Sequence, residues 1–310
     1  MPGLRILQFG RTGQVGIELL VRGLAHGHQV TALGRDKIDL AQPRRIASSI
    51  SLAGLVDVVI NGAAYTQVDK AESEPERATA VNAESVGALA EFCSRRGVPL
   101  IQLSTDYVFD GTKATPYRED DPTAPANVYG RSKFLGEEAV RTSHPRHIIL
   151  RTSWVYSAHG TNFVKTMLKL GAEREELRIV DDQKGTPTSA GDIAEACLFV
   201  SERVCRDPGF SAWGTYHFAA KGETTWRRFA EAIFEDASAW AALKARIVPI
   251  TSNEYPTAAK RPLNSRLDCE KFDHTFGLPR RPWRDALRAV LAEIRADTES
   301  PTKHGPRSAE

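Results

Sequence analysis

Apolar runs alternate with helical periodicity through the first half of this chain. Five runs of strand length are separated by longer stretches in which apolar residues recur at helical spacing, as from Val81 to Arg96. This alternation is typical of a parallel sheet whose strands are joined by crossover helices. It predicts a doubly wound, Rossmann-like α/β fold, in which ligands bind at the carboxyl ends of the strands. The five runs are 4–9, 29–33, 57–61, 99–103 and 147–151.

A glycine-rich turn follows the first of these runs. Glycines stand at positions 10, 13 and 16, where the predicted strand ends and an apolar helical pattern begins. Glycine at this junction permits a tight turn, lets backbone N–H groups approach a pyrophosphate, and allows close packing of helix on strand. The turn therefore predicts a dinucleotide site. The residues expected to form it are Gly10, Thr12, Gly13, Gln14, Val15 and Gly16.

The end of the second predicted strand bears on which dinucleotide binds. An acidic residue there would hold a ribose 2′-hydroxyl, whereas an arginine accommodates a 2′-phosphate. Gly34 stands at this place, Arg35 follows it, and Arg11 in the glycine turn adds a second cation. NADPH is therefore favoured, and Asp36 keeps NADH open as the alternative. Asp39 and Leu40 are expected near the adenine.

A tyrosine and a lysine, Tyr129 and Lys133, stand four residues apart. On a helix their side chains share a face. A nearby ammonium favours the phenolate and brings the pKa of a tyrosine down from about 10 toward the working range. Upstream, Ser104 and Thr105 end the fourth strand, where a hydroxyl can hydrogen-bond a substrate carbonyl. These residues predict a carbonyl reductase, with Thr105, Tyr129 and Lys133 at its centre.

The glycine turn, the Tyr-x-x-x-Lys pair and the upstream Ser/Thr resemble those of the extended short-chain dehydrogenases. Within that superfamily, several segments are similar to the dTDP-4-dehydrorhamnose reductase family. The resemblance covers nearly the whole chain to about residue 295. The segments that carry it are 61–72, 104–111, 127–130, 151–156, 162–168, 182–188 and 255–262.

This resemblance implies roles for individual residues. Tyr129 would be the general acid in the reduction of a dTDP-linked 4-ketosugar, Lys133 its activator and ligand of the nicotinamide ribose, and Thr105 the group that polarises the keto oxygen. Two donors at that oxygen suit a carbonyl that becomes an alkoxide. Asp106 and Trp154 would contact the sugar nucleotide, and Arg261 its diphosphate. Further cofactor contacts are expected from Ala63, Ala64, Tyr65 and Leu103, in addition to Tyr129 and Lys133.

Some members of this family bind a metal ion, such as Mg²⁺, at a dimer interface through three glutamates. Glu18 and Glu293 could match two of them, but the third position is Gly191. A homodimer stays open, whereas a metal-bridged dimer does not follow.

Composition and domain organisation set the remaining expectations. The formal net charge of +2 gives no reason to expect a nucleic-acid partner. Neither a signal-peptide pattern nor a run of about 20 apolar residues occurs, so we expect a cytoplasmic protein without a membrane anchor. We predict a dinucleotide-binding domain over residues 1–151 with later elements returning to its sheet, a mainly substrate-binding region over 152–296, and a disordered tail over 297–310.

Two other functions are compatible with the same scaffold. A nucleotide-sugar epimerase or dehydratase would retain NAD⁺, but a dehydratase needs a glutamate after the acidic residue that follows the threonine, and Tyr107 stands there. The other is a non-catalytic regulatory subunit resembling the methionine adenosyltransferase β subunit. An intact Thr105, Tyr129 and Lys133 set is compatible with that reading as well.

Overall fold

The centre of the molecule is a six-stranded parallel sheet, and the computed structural model describes residues 2–46 and 54–299. The strand order is β2-β1-β3-β4-β5-β10, with all neighbours parallel. The sequence-based prediction of a doubly wound sheet is confirmed. In chain order the strands are β1 (Arg5–Phe9), β2 (Gln29–Leu33), β3 (Val58–Asn61), β4 (Leu100–Thr105), β5 (His147–Thr152), β6 (Val155–Tyr156), β7 (Glu176–Val180), β8 (Lys184–Gly185), β9 (Thr188–Ser189), β10 (Gly214–His217), β11 (Thr224–Thr225) and β12 (Arg246–Ile250).

Helices cover both faces of the sheet. Among the described residues, none of them is both long and apolar enough to cross a membrane. The helices are α1 (Gln14–Ala25), α2 (Val68–Ala71), α3 (Pro75–Thr79), α4 (Ser85–Arg96), α5 (Val128–Ser143), α6 (Phe163–Glu173), α7 (Ala190–Arg206), α8 (Trp226–Ala237), α9 (Glu270–Phe276) and α10 (Trp283–Glu299), with a π-helical turn at Ala80–Glu84 before α4.

The apolar runs bury both sides of the central strands. Every residue of β3, β4 and β5 is buried, which explains why apolar residues stand at successive positions, as at 58–60 and 148–150, rather than alternating with exposed polar ones. Successive side chains point to opposite faces, so Ile6 joins the core beneath α1 and α7, and Leu7 joins the core beneath α4 and α5. The two helical layers therefore rest on separate cores.

The later part of the chain builds a smaller layer and also contributes to the main sheet. Its strands form two-stranded pairs, β7 with β12, β8 with β11 and β6 with β9, over a third apolar core that includes residues of α6, α8 and α10. β10 returns to the main sheet beside β5, and α7 packs against α1. The domain boundary at residue 151 stays a prediction. α10 includes the first three residues of the predicted tail, and residues 300–310 lie outside the described part of the chain.

The strand order places a ligand crevice between β1 and β3. The chain moves from β1 outward to β2 and then crosses to β3 on the other side, so the connections leave the sheet in opposite directions at this point. Open α/β sheets bind ligands at such a reversal, outside the carboxyl ends of the strands. Gly10 and Gly62 are the residues that leave β1 and β3 there.

Candidate active site

The glycine turn is built so that backbone lies against backbone. Gly10 has φ of +98°, and a Cβ at this position would lie 2.9 Å from the backbone nitrogen of Ala63. A Cβ on Gly16 would lie 1.8 Å from the carbonyl oxygen of Gly10, so helix α1 can approach the turn only with glycine there. Gly13 is the N-cap of α1 and supplies no side-chain cap. The exposed N-terminus of α1 therefore fits a dinucleotide diphosphate.

The side chains after the glycine turn point in different directions. Thr12 is exposed, and Val15 packs against the core beneath α1. The Gln14 carboxamide oxygen accepts hydrogen bonds from Ser157 Oγ at 3.0 Å and Asn162 Nδ2 at 2.9 Å. Gln14 thus joins the start of α1 to the smaller layer, so a cofactor contact from this residue would come from its backbone.

The segment after β3 is held by a residue that sequence reasoning missed. Asn82, in the π-helical turn, accepts a hydrogen bond from the Tyr65 backbone nitrogen at 2.8 Å, and its amide donates to Tyr65 O and Ser132 Oγ. Asn82 therefore connects the predicted cofactor contacts Ala63, Ala64 and Tyr65 to helix α5. The Tyr65 hydroxyl itself donates to Glu74 at 2.9 Å.

The end of β2 presents cations beside a glycine. Arg11 lies 3.5 Å from Asp36, and a Cβ on Gly34 would approach both side chains. Arg35 is exposed at the same strand end. Asp39 turns back on its own loop and accepts from the Ala41 nitrogen at 3.0 Å. The Leu40 carbonyl accepts from Ser85, so this loop is tied to α4.

The three residues predicted to carry the chemistry meet at the end of β4. Tyr129 and Lys133 share a face of α5, as their spacing predicts, and the Tyr129 side chain lies beside Thr105. The Lys133 ammonium donates to the Leu103 carbonyl at 2.7 Å and is almost fully buried. Leu103 therefore lies beside Lys133. Asn127 caps α5, with its side chain accepting from the Gly130 nitrogen.

Burial dominates the electrostatics of this pair. It raises the pKa of Tyr129 to about 12, and the neighbouring Thr105 hydroxyl counters only part of that rise. Burial also lowers the pKa of Lys133 to about 8, against the opposing field of the Glu137 carboxylate. Lys133 is bonded to the strand, so the groups that change the pKa of Tyr129 in this arrangement are Thr105 and Asp106. Activation of Tyr129 by Lys133 stays a prediction.

Asp106 is a buried acid directly beside Thr105. Thr105 Oγ1 donates to Asp106 Oδ1 at 3.1 Å, while Oδ2 is buried without a partner among the described residues. Burial raises the pKa of Asp106 to about 7, in spite of hydrogen bonds from Ser265 and Thr105. A carboxyl group with a free oxygen at this place can bind a sugar hydroxyl, which is the role that the family resemblance implies.

Trp154 stands at the same edge of the sheet in a strained backbone conformation. Its φ is +48°, and it is the only non-glycine residue with positive φ in the part of the chain that the structure describes. Strain of this kind concentrates at ligand sites. Its ring stacks on Trp226, with 3.6 Å between centroids, and a Cβ on Gly185 would lie 2.3 Å from it. Trp226, which begins α8, is a second residue that sequence reasoning missed.

Arg261 is brought to the site by a loop that crosses the start of α5. The Lys260 carbonyl accepts from Asn127, and Pro262 lies against Gly111. Arg261 donates to Asp69 at 2.5 Å, while its Nη1 is buried without a partner among the described residues. A guanidinium with unused donors here suits a diphosphate.

Glu18 and Glu293 do come together, but not as part of a three-glutamate set. His159 Nε2 lies 3.5 Å from a carboxylate oxygen of each. A Cβ on Gly191 would lie 2.6 Å from Arg22, whose guanidinium donates to Glu18 at 2.8 Å. A cation thus stands beside the position of the family's third glutamate, while Glu18, His159 and Glu293 each offer a ligand atom within 4.8 Å of the others, so metal binding by this different set stays a prediction.

Comparison with known proteins agrees with this geometry. The family model described as the RmlD substrate binding domain matches residues 4–296. The chain is 44% identical to the dTDP-4-dehydrorhamnose reductase of Sinorhizobium fredii, over 93% of this chain and 97% of the relative. It is 42% identical to the Escherichia coli protein of the same name, over 94% and 98%. The chain belongs to the dTDP-4-dehydrorhamnose reductase family.

The solved structures of this family share the fold of the chain. The dTDP-4-dehydrorhamnose reductase of Bacillus anthracis, determined in complex with NADP, is 32% identical, with a TM-score of 0.85 over 94% of this chain and 99% of that one. Family membership confirms the resemblance drawn from the motifs. It makes the chain an oxidoreductase that uses a nicotinamide dinucleotide.

Proposed function

We propose that this protein reduces the 4-keto group of dTDP-4-dehydro-L-rhamnose to give dTDP-L-rhamnose, with NADPH as the reductant. The observation that carries the proposal is that the Tyr129 side chain, on the same face of α5 as Lys133, meets the buried hydroxyl of Thr105 at the end of β4. The pair lies at the same edge of the sheet as the glycine turn after β1. Family membership supplies the class of substrate.

Each group of the site has a defined task in this reaction. The reduced nicotinamide, when bound, supplies the hydride to C4 of the sugar. Tyr129 donates its proton to the oxygen as negative charge develops there, and Thr105 donates a hydrogen bond to the same oxygen. Burial keeps the pKa of Tyr129 high, so the tyrosine carries its proton at neutral pH. Lys133 positions the nicotinamide ribose and favours the phenolate left after the transfer.

The other predicted residues hold the two ligands in place. Asp106 and Trp154 bind the sugar, and Arg261 pairs with the substrate diphosphate through the donor that Asp69 does not occupy. NADPH is preferred because Arg11 and Arg35 offer positive charge to a 2′-phosphate at the end of β2. The relative from Bacillus anthracis in complex with NADP supports this choice. The cytoplasmic location and the homodimer remain predictions.

A dehydration reaction suits this site less well than simple reduction. Tyr107, in the position where a dehydratase needs a glutamate, is a half-buried residue whose ring packs edge-on against Tyr129 at 5.5 Å between centroids. Burial raises its pKa further above the ordinary tyrosine value. Tyr107 therefore supplies no carboxylate for removing a proton from carbon.

The decisive experiment follows the loss of nicotinamide absorbance when dTDP-4-dehydro-L-rhamnose is added with NADPH or NADH. We expect stoichiometric oxidation, faster with NADPH. Tyr129→Phe should lose about 10²–10⁴-fold in kcat, because the general acid is removed. Tyr216→Phe is the matched control, since the hydroxyl of this buried residue on β10 donates to the Ala212 carbonyl and should not matter for turnover. Folded protein that oxidises neither cofactor would contradict the proposal.

A further inference from the structure

We propose that Glu137 is a positioning residue for this reaction, which fixes Lys133 against the strand that carries Thr105 and holds the lysine in its charged form. This inference rests on the proposed function. It concerns a residue that lies one helical turn after Lys133 on α5 and that touches neither of the proposed catalytic hydroxyls.

The Glu137 carboxylate is buried and uses both of its oxygens. Oε1 accepts from Ser104 Oγ at 2.6 Å and from Arg151 Nε at 2.9 Å. Oε2 accepts from Arg151 Nη2 at 2.7 Å and from Arg141 Nη2 at 2.7 Å. The side chains of Glu137 and Arg151 are each 1% exposed. A carboxylate this deep is costly unless its hydrogen bonds are satisfied, and here they are.

These bonds join the catalytic helix to consecutive residues of β4. Lys133 bonds to the carbonyl of Leu103, Glu137 bonds to the hydroxyl of Ser104, and Thr105 comes next. Ser104 is in register with Arg151 on β5, so the second bond of the carboxylate reaches the neighbouring strand. Glu137 therefore sets how α5 lies against the end of the sheet.

The charge of Glu137 stabilises the charged form of Lys133, which burial disfavours. Burial lowers the pKa of Lys133, and the Glu137 carboxylate is the group that raises it. Burial alone would raise the pKa of Glu137, but Arg151, Ser104 and Arg141 together lower it below its ordinary value, so Glu137 stays ionised. The other titratable or charged side chains around the pair are Arg141 on α5, Arg151 on β5, His217 on β10, Asp106 after β4 and Tyr129.

His217 adds no charge to this cluster at neutral pH. Burial lowers the pKa of His217 to about 3, and its ring lies 3.4 Å from Arg151. Tyr129 carries its proton throughout the neutral range, whereas Asp106, whose pKa burial raises to about 7, loses its proton within that range. Of these groups, the Glu137 carboxylate is the charge that raises the pKa of Lys133, and Arg141 and Arg151 are the cations paired with it.

The test compares the pH dependence of kcat in the wild type, Glu137→Gln and Glu138→Gln. Glu138 is the matched control, because it pairs with Arg141 on the same helix but is exposed. Loss of the Glu137 charge should move the basic limb of the profile to lower pH by about one unit and reduce kcat at neutral pH, as Lys133 loses its proton earlier. Glu138→Gln should keep the wild-type limb.

A second variant tests the opposite sign. Arg141→Ala removes one of the two cations that neutralise Glu137 at its more exposed side, so the basic limb should move to higher pH. A purely structural role would lower stability in both Glu137→Gln and Arg141→Ala without moving their limbs in opposite directions. Folded Glu137→Gln with an unchanged limb overturns the inference. If Glu137→Gln does not fold, the inference is overturned when the basic limb of the Arg141→Ala profile lies at the same pH as in the wild type.

NADPH binding separates this inference from the proposed function. The dissociation constant of NADPH, followed by fluorescence over the same pH range, reports on Lys133 at the ribose without any sugar substrate. If the wild type fails to reduce the ketosugar, the reductase proposal fails. The same displacement of the binding profile in Glu137→Gln would still support the role of Glu137, and its absence would contradict that role.

Discussion

The two sides of the site are built in opposite ways. The cofactor side depends on glycines, which have no side chain. At Gly10 and Gly16 this absence allows backbone atoms of the turn to lie against other backbone atoms, those of Ala63 and Gly10. The catalytic side is formed by buried polar side chains that come from separate elements of the chain, such as Ser104 on β4, Glu137 on α5 and His217 on β10. Substitutions on the cofactor side should therefore act through steric overlap. Substitutions on the catalytic side should act through a change of charge.

The largest expected effect is on the glycine turn. Gly16→Ala places a Cβ against the Gly10 carbonyl, at 1.8 Å from the oxygen, and neither backbone atom can move aside cheaply. We expect a loss of about 3 kcal/mol or more in the free energy of unfolding, measured by denaturant titration. Gly13→Ala is the control, since its Cβ would meet only the Gly10 oxygen at 3.7 Å. It should fold normally and weaken only NADPH binding, and equal stability of the two variants would contradict this account.

The next effect tests the charge side through Asp106. Its pKa is raised by burial to about 7, so the folded state binds its proton more tightly than the unfolded state does. The stability that this proton contributes is complete below the ordinary carboxyl pKa and is lost as the pH rises through about 7. Asp106→Asn should therefore gain a few kcal/mol over the wild type at pH 8, and little at pH 4. It should also lose sugar binding.

Asp110→Asn provides the control of opposite sign. The pKa of Asp110 is lowered, chiefly by a hydrogen bond from the Thr112 backbone nitrogen. Its ionised form therefore favours the folded state, and the variant should be less stable than the wild type above the ordinary carboxyl pKa. Melting temperatures of both variants from pH 4 to 8 decide the matter. Parallel curves for Asp106→Asn and the wild type would show that burial of Asp106 does not disfavour its charge.

A smaller effect is expected at the stacked tryptophans. Trp226→Ala removes the ring on which Trp154 stacks, so Trp154 loses support for its strained backbone. The KM of the sugar nucleotide should rise about 10-fold, corresponding to about 1.4 kcal/mol, while the KM of NADPH changes little. Trp213→Leu, at the edge of the core beneath α7, is the control and should leave both constants in place. A rise in the NADPH KM alone would contradict the role of Trp226.

The contrast between the two sides also explains what sequence could predict. Strands 4–9 and 147–151, the glycine turn and the shared helical face of Tyr129 and Lys133 depend on local spacing, and all of them are found. Asn82 and Trp226 carry no such signal. The role of each depends on partners elsewhere in the sequence, Tyr65 and Ser132 for Asn82 and Trp154 for Trp226.

The same limit applies to charge pairs. His159 lies between Glu18 and Glu293, and Arg22 fills the space beside Gly191, yet no spacing in the sequence relates these residues. The family pattern pointed to the two glutamates and to the missing third one. Only the packing of α1 against α7 reveals that an arginine stands there instead.

The smallest effect concerns the choice between NADPH and NADH, for which the cofactor side depends on charged side chains. Arg11 and Asp36 are each about half exposed, so their ion pair at 3.5 Å contributes little to stability. Arg11→Ala should leave the melting temperature unchanged but raise the KM of NADPH about 10-fold relative to that of NADH, because a 2′-phosphate loses its cation. Arg35→Ala separates the two arginines. If Arg35→Ala lowers the preference for NADPH over NADH and Arg11→Ala does not, the 2′-phosphate binds outside the glycine turn. The charge that selects the cofactor would then lie after β2 and not within that turn.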